Sequence, residues 1–357
     1  MGGTNPDRCF QLEPLGMPFV KSNRSNLKAV TINQQKSAET ARKLVLQAES
    51  IGTRTDGRKA RCQNLDSDVP QQKCLSTYPT FFELKTKEEI KLTLQAAEHF
   101  RVAGEQHWFD SANAYEKAAS ISSEVQKNPS ISAELFSEAA FIMEKIDSDF
   151  ASAFTAKSIS QHCDAAQYDK AAELEERMAD NHSKKSSYEA AIEGYKRAAK
   201  LYASAKMSDS ADEMCHRAAY LLGKGGRLTE SAYLYLSLAI GQANQSLKMF
   251  NVPSILLRAA MLLLSDCLKE SSTEVDFSSV RKLIDDACGI DCRYYESREH
   301  AFINDMMQCV LSGDLDRFAD CVFYFNSVCE LDDLLLDALD VVKHAVMQRN
   351  DAKISSK

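Results

Sequence analysis

The sequence contains little glycine and little proline, with 13 glycines and 7 prolines among 357 residues. Both residues disfavour the interior of a helix, so their scarcity, together with abundant alanine, favours helix over sheet. The hydrophobic share of 44% is enough for a globular protein over most of the chain. We therefore predict an all-α protein.

Long apolar segments are missing as well. There is no run of 18 apolar residues, and the N-terminus lacks the hydrophobic region of a signal peptide. Met1-Gly2 is followed by Pro6, where a myristoylation site has Ser or Thr. These absences predict a cytoplasmic protein that contacts membranes only peripherally.

Catalytic motifs are also missing. The seven histidines show no HExxH spacing, and Gly223-Lys224-Gly225-Gly226 lacks the Lys-Ser/Thr of a phosphate-binding loop. We predict that the protein is not an enzyme and uses no cofactor and no metal.

Cysteine is plentiful, with eleven residues, but several lie inside apolar helical segments without paired spacing. This pattern is more typical of reduced, buried thiols in a cytosolic protein than of disulfides. Cys288 and Cys292 are four residues apart without a CxxC motif or a histidine partner, so core packing or chance is favoured over a metal site.

The net charge of −8 is unevenly distributed. Residues 1–61 carry 11 Lys and Arg against 5 Asp and Glu, so the rest of the chain is acidic. An acidic body argues against nucleic-acid binding along its length. The basic leader would either touch an acidic membrane or be solvated.

A spacing of about 40 residues organises the chain. Bulky and small residues alternate on one helix face, and a similar helix opens at Asp149-Phe150, where a fourth unit is expected. This unit length is typical of a helix pair in an α-solenoid. The repeated positions are Trp108-Ser111-Tyr115-Ala118, Tyr188-Ala191-Tyr195-Ala198 and Leu228-Ser231-Tyr235-Leu238.

The rest of the pattern predicts the domain organisation. Residues 1–35 lack periodicity and are predicted to be disordered. A first helix begins at Ser37 and can end at Gly52. A second begins at Thr86, after a polar loop broken by Pro70 and Pro79. The predicted divisions are a basic leader (1–35), a helical-hairpin array (37–290) with a long loop (53–85), a C-terminal helical bundle (291–347) and a mobile tail (348–357).

Four stretches of this chain resemble the soluble NSF attachment proteins of the alpha type. They are Tyr78-Pro79-Thr80-Phe81-Phe82 before the helix KEEIKLTLQAAEHFRVAGEQHW, the segment WFDSANAYEKAA, the segment YEAAIEGYKRAAKLYASAKMSDSADEMCHRAAYLL, and Glu296–Glu299 with Leu331-Asp332. Their order and spacing match the family over residues 37–350.

The resemblance implies a TPR-like α-solenoid of antiparallel helix hairpins with a C-terminal helical bundle. It also implies an adaptor without catalysis, located in the cytoplasm and peripherally on membranes. Such proteins bind a SNARE four-helix bundle through a concave basic face. They recruit and stimulate an NSF-type AAA ATPase, which disassembles SNARE complexes during vesicle-mediated transport and membrane fusion.

Carried over residue by residue, the resemblance assigns a membrane loop to Tyr78, Phe81 and Phe82. Two exposed phenylalanines would each contribute about 2 kcal/mol by burial at an interface. The alternative is that they fold back onto the first helix pair.

The resemblance also proposes SNARE-facing residues, although a solvated surface position is an alternative for each. At two positions where the family presents lysine, this chain has Glu173 and Glu213, which would weaken binding to an acidic bundle. The basic candidates are Arg217, Lys248, Arg258 and Arg298.

The ATPase-facing end departs from the family pattern. The family's acidic run is replaced by Gln308–Ser312, and the acidic context of the family's C-terminus is absent, with Ile354 in place of a leucine. The ATPase-facing candidates are Asp314, Asp316, Leu331, Asp332, Asp351 and Ile354.

Three hypotheses follow. The first is a SNARE-disassembly adaptor. The second is a helical-repeat scaffold for other proteins that has lost SNARE and ATPase activity. The third is a nucleic-acid or phosphoinositide binder acting through residues 1–61.

Overall fold

The computed structural model describes residues 24–63, 78–269 and 275–355. In these ranges the protein is all-α, with fourteen α-helices, three short 3-10 segments and no β-strand. The chain forms two compact units, residues 1–118 and 119–357. The predicted fold class is confirmed in the described part of the chain.

The first unit is built on a pair of long helices, α1 (Arg24–Gln63) and α2 (Tyr78–Ala103), and it includes the beginning of α3 (Trp108–Glu124). The α1 and α2 helices run antiparallel, and the Ser37 hydroxyl donates a hydrogen bond of 3.0 Å to the His99 carbonyl oxygen. Small residues on α1 allow the close approach, because Ala41 is fully buried against Ala96 and Phe100.

The second unit contains helical hairpins, followed by C-terminal helices that share one apolar core. Its helices are α4 (Pro129–Met143), α5 (Ser148–Asp164), α6 (Tyr168–Lys184), α7 (Tyr188–Ser204), α8 (Ser208–Lys224), α9 (Leu228–Ala243), α10 (Val252–Lys269), α11 (Ser278–Ile290), α12 (Arg298–Ser312), α13 (Leu315–Val328) and α14 (Asp333–Ser355).

The predicted 40-residue spacing is confirmed by the helix boundaries. The helices α3, α5, α7 and α9 begin at Trp108, Ser148, Tyr188 and Leu228, which are spaced by one repeat. The residues predicted to face the neighbouring helix are buried, with two exceptions: Trp108 is partly buried, and the Tyr188 side chain is 51% exposed. Tyr188 stands in the first turn of α7.

Four three-residue turns join the helices from α5 to α9. The second residue of each turn has a left-handed backbone, with φ of 56° at Ala166, 59° at Ser186, 62° at Lys206 and 81° at Gly226. The next amide then reaches back five residues, as in the bond of 2.9 Å from Gln167 N–H to the His162 carbonyl. This Schellman geometry satisfies the last carbonyls of each helix and reverses the chain at a fixed angle.

Small residues set the distance between the hairpin helices. A Cβ atom added to Gly194 would lie 2.8 Å from the Ala179 Cβ, so the backbones of α6 and α7 approach as closely as glycine permits. Buried serine hydroxyls connect other pairs, since Ser132 donates to the Ala119 carbonyl and Ser158 to the Ala133 carbonyl, at 2.9 and 2.8 Å. These contacts satisfy polar groups that would otherwise be costly to bury.

The C-terminal helices share a core of large aliphatic side chains. Leu256 and Leu264 on α10 are fully buried, as are Ile303 and Met306 on α12. The same cluster includes residues of α9 and α14. Apolar packing is therefore continuous across residue 290, where the array was predicted to end, and the division into array and bundle stays a prediction.

Four predicted boundaries are corrected. Residues 24–35 and 53–63 are helical, because α1 extends on both sides of the predicted segment. No proline or glycine lies between Arg24 and Ser37 to stop the helix. Gly52 does not end α1: it lies within it, where an added Cβ would be 2.7 Å from the Glu89 carboxylate.

The second helix begins at Tyr78, so residues 78–85 are not a loop, and Thr86 is inside the helix. Pro79 is tolerated because the first helical turn needs no donor from its amide. The C-terminal helix continues to Ser355, and residues 348–355 are not a free tail. Lys353 Nζ donates to the Ser312 carbonyl, which attaches this end of α14 to the α12–α13 turn. The remaining parts of the predicted leader, loop and tail (1–23, 64–77 and 356–357) lie outside the described residues.

One described helix, Met249–Lys269, is long and apolar enough by length and composition to cross a membrane. Its most apolar window has a mean hydropathy of 1.4, and 61% of this window is buried inside the protein. In the sequence, Arg258 interrupts its apolar run. The burial of this helix in the C-terminal core explains its composition.

Candidate partner-binding surfaces

The predicted membrane segment lies at the beginning of α2. The backbone of Tyr78, Phe81 and Phe82 is helical, while their side chains lie outside the part of the structure that is described. The assignment of these aromatics to membrane contact stays a prediction.

The SNARE-facing candidate Arg217 is engaged by three carboxylates of its own chain. It lies on α8, and its guanidinium is 2.9 Å from Glu213 and 3.3 Å from each of Glu176 and Asp180 on α6. An arginine held by three anions contributes little net positive charge to a partner. The surface around Arg217 is therefore acidic.

Two tyrosines of α7 reinforce this cluster. The Tyr195 hydroxyl donates to Asp180 at 2.5 Å, and the Tyr202 hydroxyl donates to Glu176 at 2.7 Å. Burial, and then the bond to Asp180, raises the pKa of Tyr195 to about 12. Burial and the bond to Glu176 also raise the pKa of Tyr202. Both phenols therefore stay protonated and fix the carboxylates at neutral pH.

Lys248 is paired in the same way. Its Nζ atom is 2.6 Å from both Asp209 and Asp212, at the N-terminus of α8, and its side chain is only 17% exposed. Acidic residues in the first turns of α8 suit the helix dipole, and Lys248 neutralises part of their charge.

The candidates Arg258 and Asp332 form an ion pair with each other, although the sequence analysis assigned them to different partners. Arg258 Nη2 is 2.8 Å from Asp332 Oδ2, and the side chains are 18% and 32% exposed. Asp332 also accepts a hydrogen bond of 2.9 Å from Leu335 N–H, which caps α14. Leu331 is buried in the C-terminal core. This group connects α10 to the beginning of α14.

Arg298 differs from the other basic candidates because its side chain is 57% exposed. It contacts Glu299 at 3.1 Å, and it lines a shallow apolar cleft between α12 and α13 with Phe302 and Tyr324.

The remaining ATPase-facing candidates lie in α13 and α14. Asp314 caps α13 by accepting a bond of 3.0 Å from Arg317 N–H, and Asp316 follows in the first turn. Asp351 lies near the end of α14, and Ile354 there is 65% exposed. The structure brings together the α12–α13 turn and the end of α14 through Lys353, but Asp332 lies at the opposite end of α14.

The two glutamates that stand where the resemblance implies lysine are exposed. Glu173 lies on the surface of α6, and Glu213 is exposed on α8 beside Arg217. They add to the acidic character that Glu176 and Asp180 give to the same pair of helices.

The sequence reasoning missed the partners of the basic candidates, although the repeat contains a signal for them. Cross-helix contacts join groups about one repeat apart: Arg217 to Glu176 over 41 residues, Lys248 to Asp212 over 36, and Arg227 to Glu189 over 38. A search for opposite charges at this spacing would have found them.

The sequence reasoning also missed exposed aromatic residues on α13. Phe323 is 71% exposed and Tyr324 is 69% exposed, and their rings meet edge to face at 5.9 Å. Phe318 and Phe325 on the same helix are buried. Aromatic residues therefore occupy more of the circumference of α13 than packing against the core requires, and the sequence contains this signal.

The described residues contain no group of three or more His, Cys, Asp or Glu arranged to hold a metal ion. Cys288 is partly buried and Cys292 is exposed, and both are free thiols. Burial raises the pKa of Cys288, which disfavours the thiolate that metal binding requires.

The chain is similar to known proteins over most of its length. The family profile described as "Soluble NSF attachment protein, SNAP" matches residues 71–347. A curated relative, the probable vesicular-fusion protein sec17 homolog of Schizosaccharomyces pombe, is 23% identical over 148 residues, which cover 40% of this chain and 48% of the relative. The chain thus matches about half the length of this relative.

Among solved structures, the chain is similar to the de novo designed helical repeat protein DHR64, with 19% identity over 74% of this chain and 99% of the designed chain. The TM-score is 0.14, so this likeness carries no argument about function or detailed arrangement.

Proposed function

The chain belongs to the soluble NSF attachment protein family, and on that premise we propose that it is an adaptor that binds SNARE complexes and recruits an NSF-type ATPase to disassemble them. It would work in the cytoplasm and on membrane surfaces during vesicle transport. The observation that carries this proposal is the family match over residues 71–347, which includes the hairpins and the C-terminal helices together.

An adaptor role agrees with the kind of surface that the helices offer. Members of the family act as adaptors and not as enzymes. Stacked hairpins present long rows of side chains from successive helices, which suits an extended partner such as a helical bundle. These rows of side chains would bind the SNARE bundle and the ATPase and bring them together.

Charge is the property in which we expect this chain to differ from its relatives. Glu173 and Glu213 are exposed, and Arg217 is neutralised by three carboxylates. Binding to a strongly acidic bundle would therefore be weak at low salt, where repulsion between like charges is least screened. Glu173→Lys/Glu213→Lys should strengthen such binding, and should do so more at low salt than at high salt.

The direct test is reconstitution with the SNARE complex and the ATPase of the same organism. The expected result is co-sedimentation of the three components and release of the SNARE proteins when ATP is added. Absence of both would remove the proposal. The matched control replaces ATP with a non-hydrolysable analogue, which should allow binding but no release.

The contribution of the C-terminal end of α14 to ATPase binding is best tested with a conservative substitution. Truncation after Gln348 would remove the contact of Lys353 with Ser312 and loosen α14, so loss of activity would be ambiguous. Ile354→Ala removes a side chain that is 65% exposed and leaves the fold intact. We expect weaker ATPase binding for Ile354→Ala and no change for the control Met347→Ala, which is 40% exposed on the same helix.

A second candidate function is a helical-repeat scaffold that no longer acts on SNARE complexes. The observation that favours it is the engagement of Arg217, Lys248 and Arg258 by carboxylates of the same chain. A flotation assay with liposomes separates the two candidates. An adaptor that uses the aromatic segment should lose membrane recruitment in Phe81→Ser/Phe82→Ser, whereas a scaffold of this kind should behave like the wild type.

A further inference from the structure

A pocket of about 220 Å³ lies between the α4–α5 hairpin and the C-terminal half of α6. Its inner wall contains the buried Ala140 and Ala151 and the hydroxyl-bearing Thr155. The pocket is separate from the acidic cluster around Arg217 and lies entirely within the second unit.

Four basic residues of α6 and its C-terminal cap line this pocket: Arg177, His182, Lys184 and Lys185. Among the described residues, no carboxylate lies within 4.0 Å of the charged groups of Arg177 or Lys184. Lys185 Nζ contacts a neutral group instead, the Ser148 hydroxyl at 2.6 Å. Glu144 is the acidic residue in the lining, and it forms no ion pair with these cations.

Several basic side chains on the neighbouring helices are paired with acids, as in the pairs of Arg217 with Asp180, Lys170 with Glu134, and Lys248 with Asp212. Arg177 and Lys184 form no such ion pair, although Arg177 also borders a neighbouring cleft that contains Glu134, Glu138 and Glu173. An anionic ligand would supply the missing charge.

Neutral hydrogen-bonding groups complete the pocket. Asn181 lines it with an exposed amide, and Ser148 and Ser152 bring hydroxyl groups from the first turns of α5. Several amide and hydroxyl groups beside guanidinium and ammonium groups are suited to the many oxygen atoms of a phosphorylated polyol. The volume is larger than a single phosphate ion needs.

Exposed apolar side chains lie close in sequence to residues of α4 and α5 that line the pocket. Phe141 at the end of α4 is 51% exposed, Ile146 in the α4–α5 turn is 48% exposed, and Phe150 at the start of α5 is 52% exposed. Basic groups next to exposed apolar groups are typical of a surface that meets the headgroup region of a membrane.

From these cations and the exposed apolar side chains, we propose that this pocket binds the phosphomonoester headgroup of an anionic inositol lipid. The α4–α5 turn would rest against the membrane while Arg177, Lys184 and Lys185 hold the phosphate groups. This contact is independent of the aromatic segment of α2 and of SNARE binding, so it goes beyond the proposed function.

The test uses the full chain and vesicles of phosphatidylcholine, with and without phosphatidylinositol bisphosphate. The chain should associate with the vesicles that contain the phosphorylated lipid. Arg177→Gln/Lys184→Gln should reduce this association about 30-fold, since each basic group near such a surface contributes on the order of a fivefold effect. Both residues are exposed, so the variant should fold like the wild type.

The matched control is Lys200→Gln/Lys206→Gln, which removes two exposed positive charges of α7 and its following turn, outside the pocket. It should retain binding. If it loses as much binding as the pocket variant, net charge is responsible and the proposal is wrong. If the pocket variant binds like the wild type, another segment such as residues 1–61 holds the lipid, and the proposal is equally wrong.

Soluble inositol trisphosphate distinguishes the two possible sources of the headgroup. Competition by this compound with vesicle binding, lost in the pocket variant, would support recognition of the headgroup in the pocket. Binding of inositol trisphosphate without any binding to the vesicles would overturn the membrane assignment, because the exposed apolar side chains would then have no role.

Discussion

Two cores of the second unit are built from different side chains. In the array core, formed by α6, α7 and α8, six of nine buried residues are alanine: Ala172, Ala179, Ala191, Ala198, Ala199 and Ala218. The C-terminal core, from α9 to α14, is dominated by Leu, Ile, Val, Met and Phe. Alanine lets helices approach closely, but each alanine buries little apolar area. Long aliphatic side chains instead fill one larger volume.

This difference shows two ways to stabilise a stack of helices. The array relies on close backbone contact, fixed turns and ion pairs between neighbours, so each interface is small and local. The C-terminal core relies on apolar area from six helices at once. We therefore expect substitutions that remove volume to be most harmful in the C-terminal core, and substitutions that add volume to be most harmful in the array.

The largest expected effect is in the C-terminal core. Leu256 is fully buried, and Leu256→Ala should lower the free energy of unfolding by about 3 kcal/mol through lost burial and the cavity left behind. Chemical denaturation monitored by circular dichroism measures it. The control Leu247→Ala removes a leucine that is 89% exposed and should change stability little. A loss below about 1 kcal/mol at Leu256 would show that this core is loosely packed.

The next effect concerns added volume in the array. Gly194→Ala places a Cβ atom 2.8 Å from the Ala179 Cβ, so α6 and α7 must move apart, at a cost of about 1 to 2 kcal/mol. Gly241→Ala in α9 is the matched control, because no atom lies within 4 Å of its added Cβ. This control should be stabilising by about 0.5 to 1 kcal/mol through helix propensity alone. Equal signs for the two variants in thermal unfolding would contradict the close-packing argument.

A smaller effect, with a pH dependence, is expected at Tyr195. Tyr195→Phe removes the hydrogen bond to Asp180 and should cost about 1 kcal/mol at neutral pH. The pKa of Tyr195 is raised from 10.0 to about 12, so the protonated phenol stabilises the fold fully below pH 10, and this contribution is lost as the pH rises through about 12.

Unfolding free energies of the wild type and Tyr195→Phe should therefore differ by a constant amount below pH 10 and converge above it. Tyr188→Phe is the control, since its side chain is 51% exposed and it lies at the start of the same helix. A difference that does not change up to pH 12 would mean that the bond to Asp180 is not maintained in solution.

The smallest effect concerns the turns. Lys206 has a φ of 62°, which costs free energy for a residue with a side chain, so Lys206→Gly should be stabilising by about 0.5 kcal/mol. Gly226→Ala is the reverse experiment at the equivalent turn, where φ is 81°, and should be destabilising by about 1 kcal/mol. Differential scanning calorimetry can compare both variants with the wild type. Effects of the same sign would show that these turns relax instead of keeping their geometry.

The hairpins could be predicted because their signal is local and repeated. Tyr195 and Ala198 lie three residues apart on one face, and the same spacing recurs in the helices that begin at Trp108 and Leu228. The extent of α1 and α2 could not be predicted in this way. Residues 24–35 have no apolar periodicity, and Pro79 was interpreted as a break although it occupies the first turn of a helix.

The candidate site was harder to predict than the fold. Arg217, Lys248, Arg258 and Asp332 were identified as charged positions, but their partners are distant in sequence, as with Arg258 and Asp332, which are 74 residues apart. Whether a lysine or arginine is available to a partner depends on the nearest carboxylate, and sequence spacing alone does not give that distance. The pocket at Arg177 and Lys184 was missed for the same reason.

The sequence by itself determined an all-α protein of stacked helix pairs, because the alternation of small and bulky residues at a helical period acts within each segment and needs no distant contact. Only the tertiary structure decided which charges are neutralised and which remain available, because an ion pair depends on the distance between two side chains from different helices. Arg177 lies on α6 and Arg217 on α8, yet three carboxylates surround Arg217 and none pairs with Arg177 among the described residues.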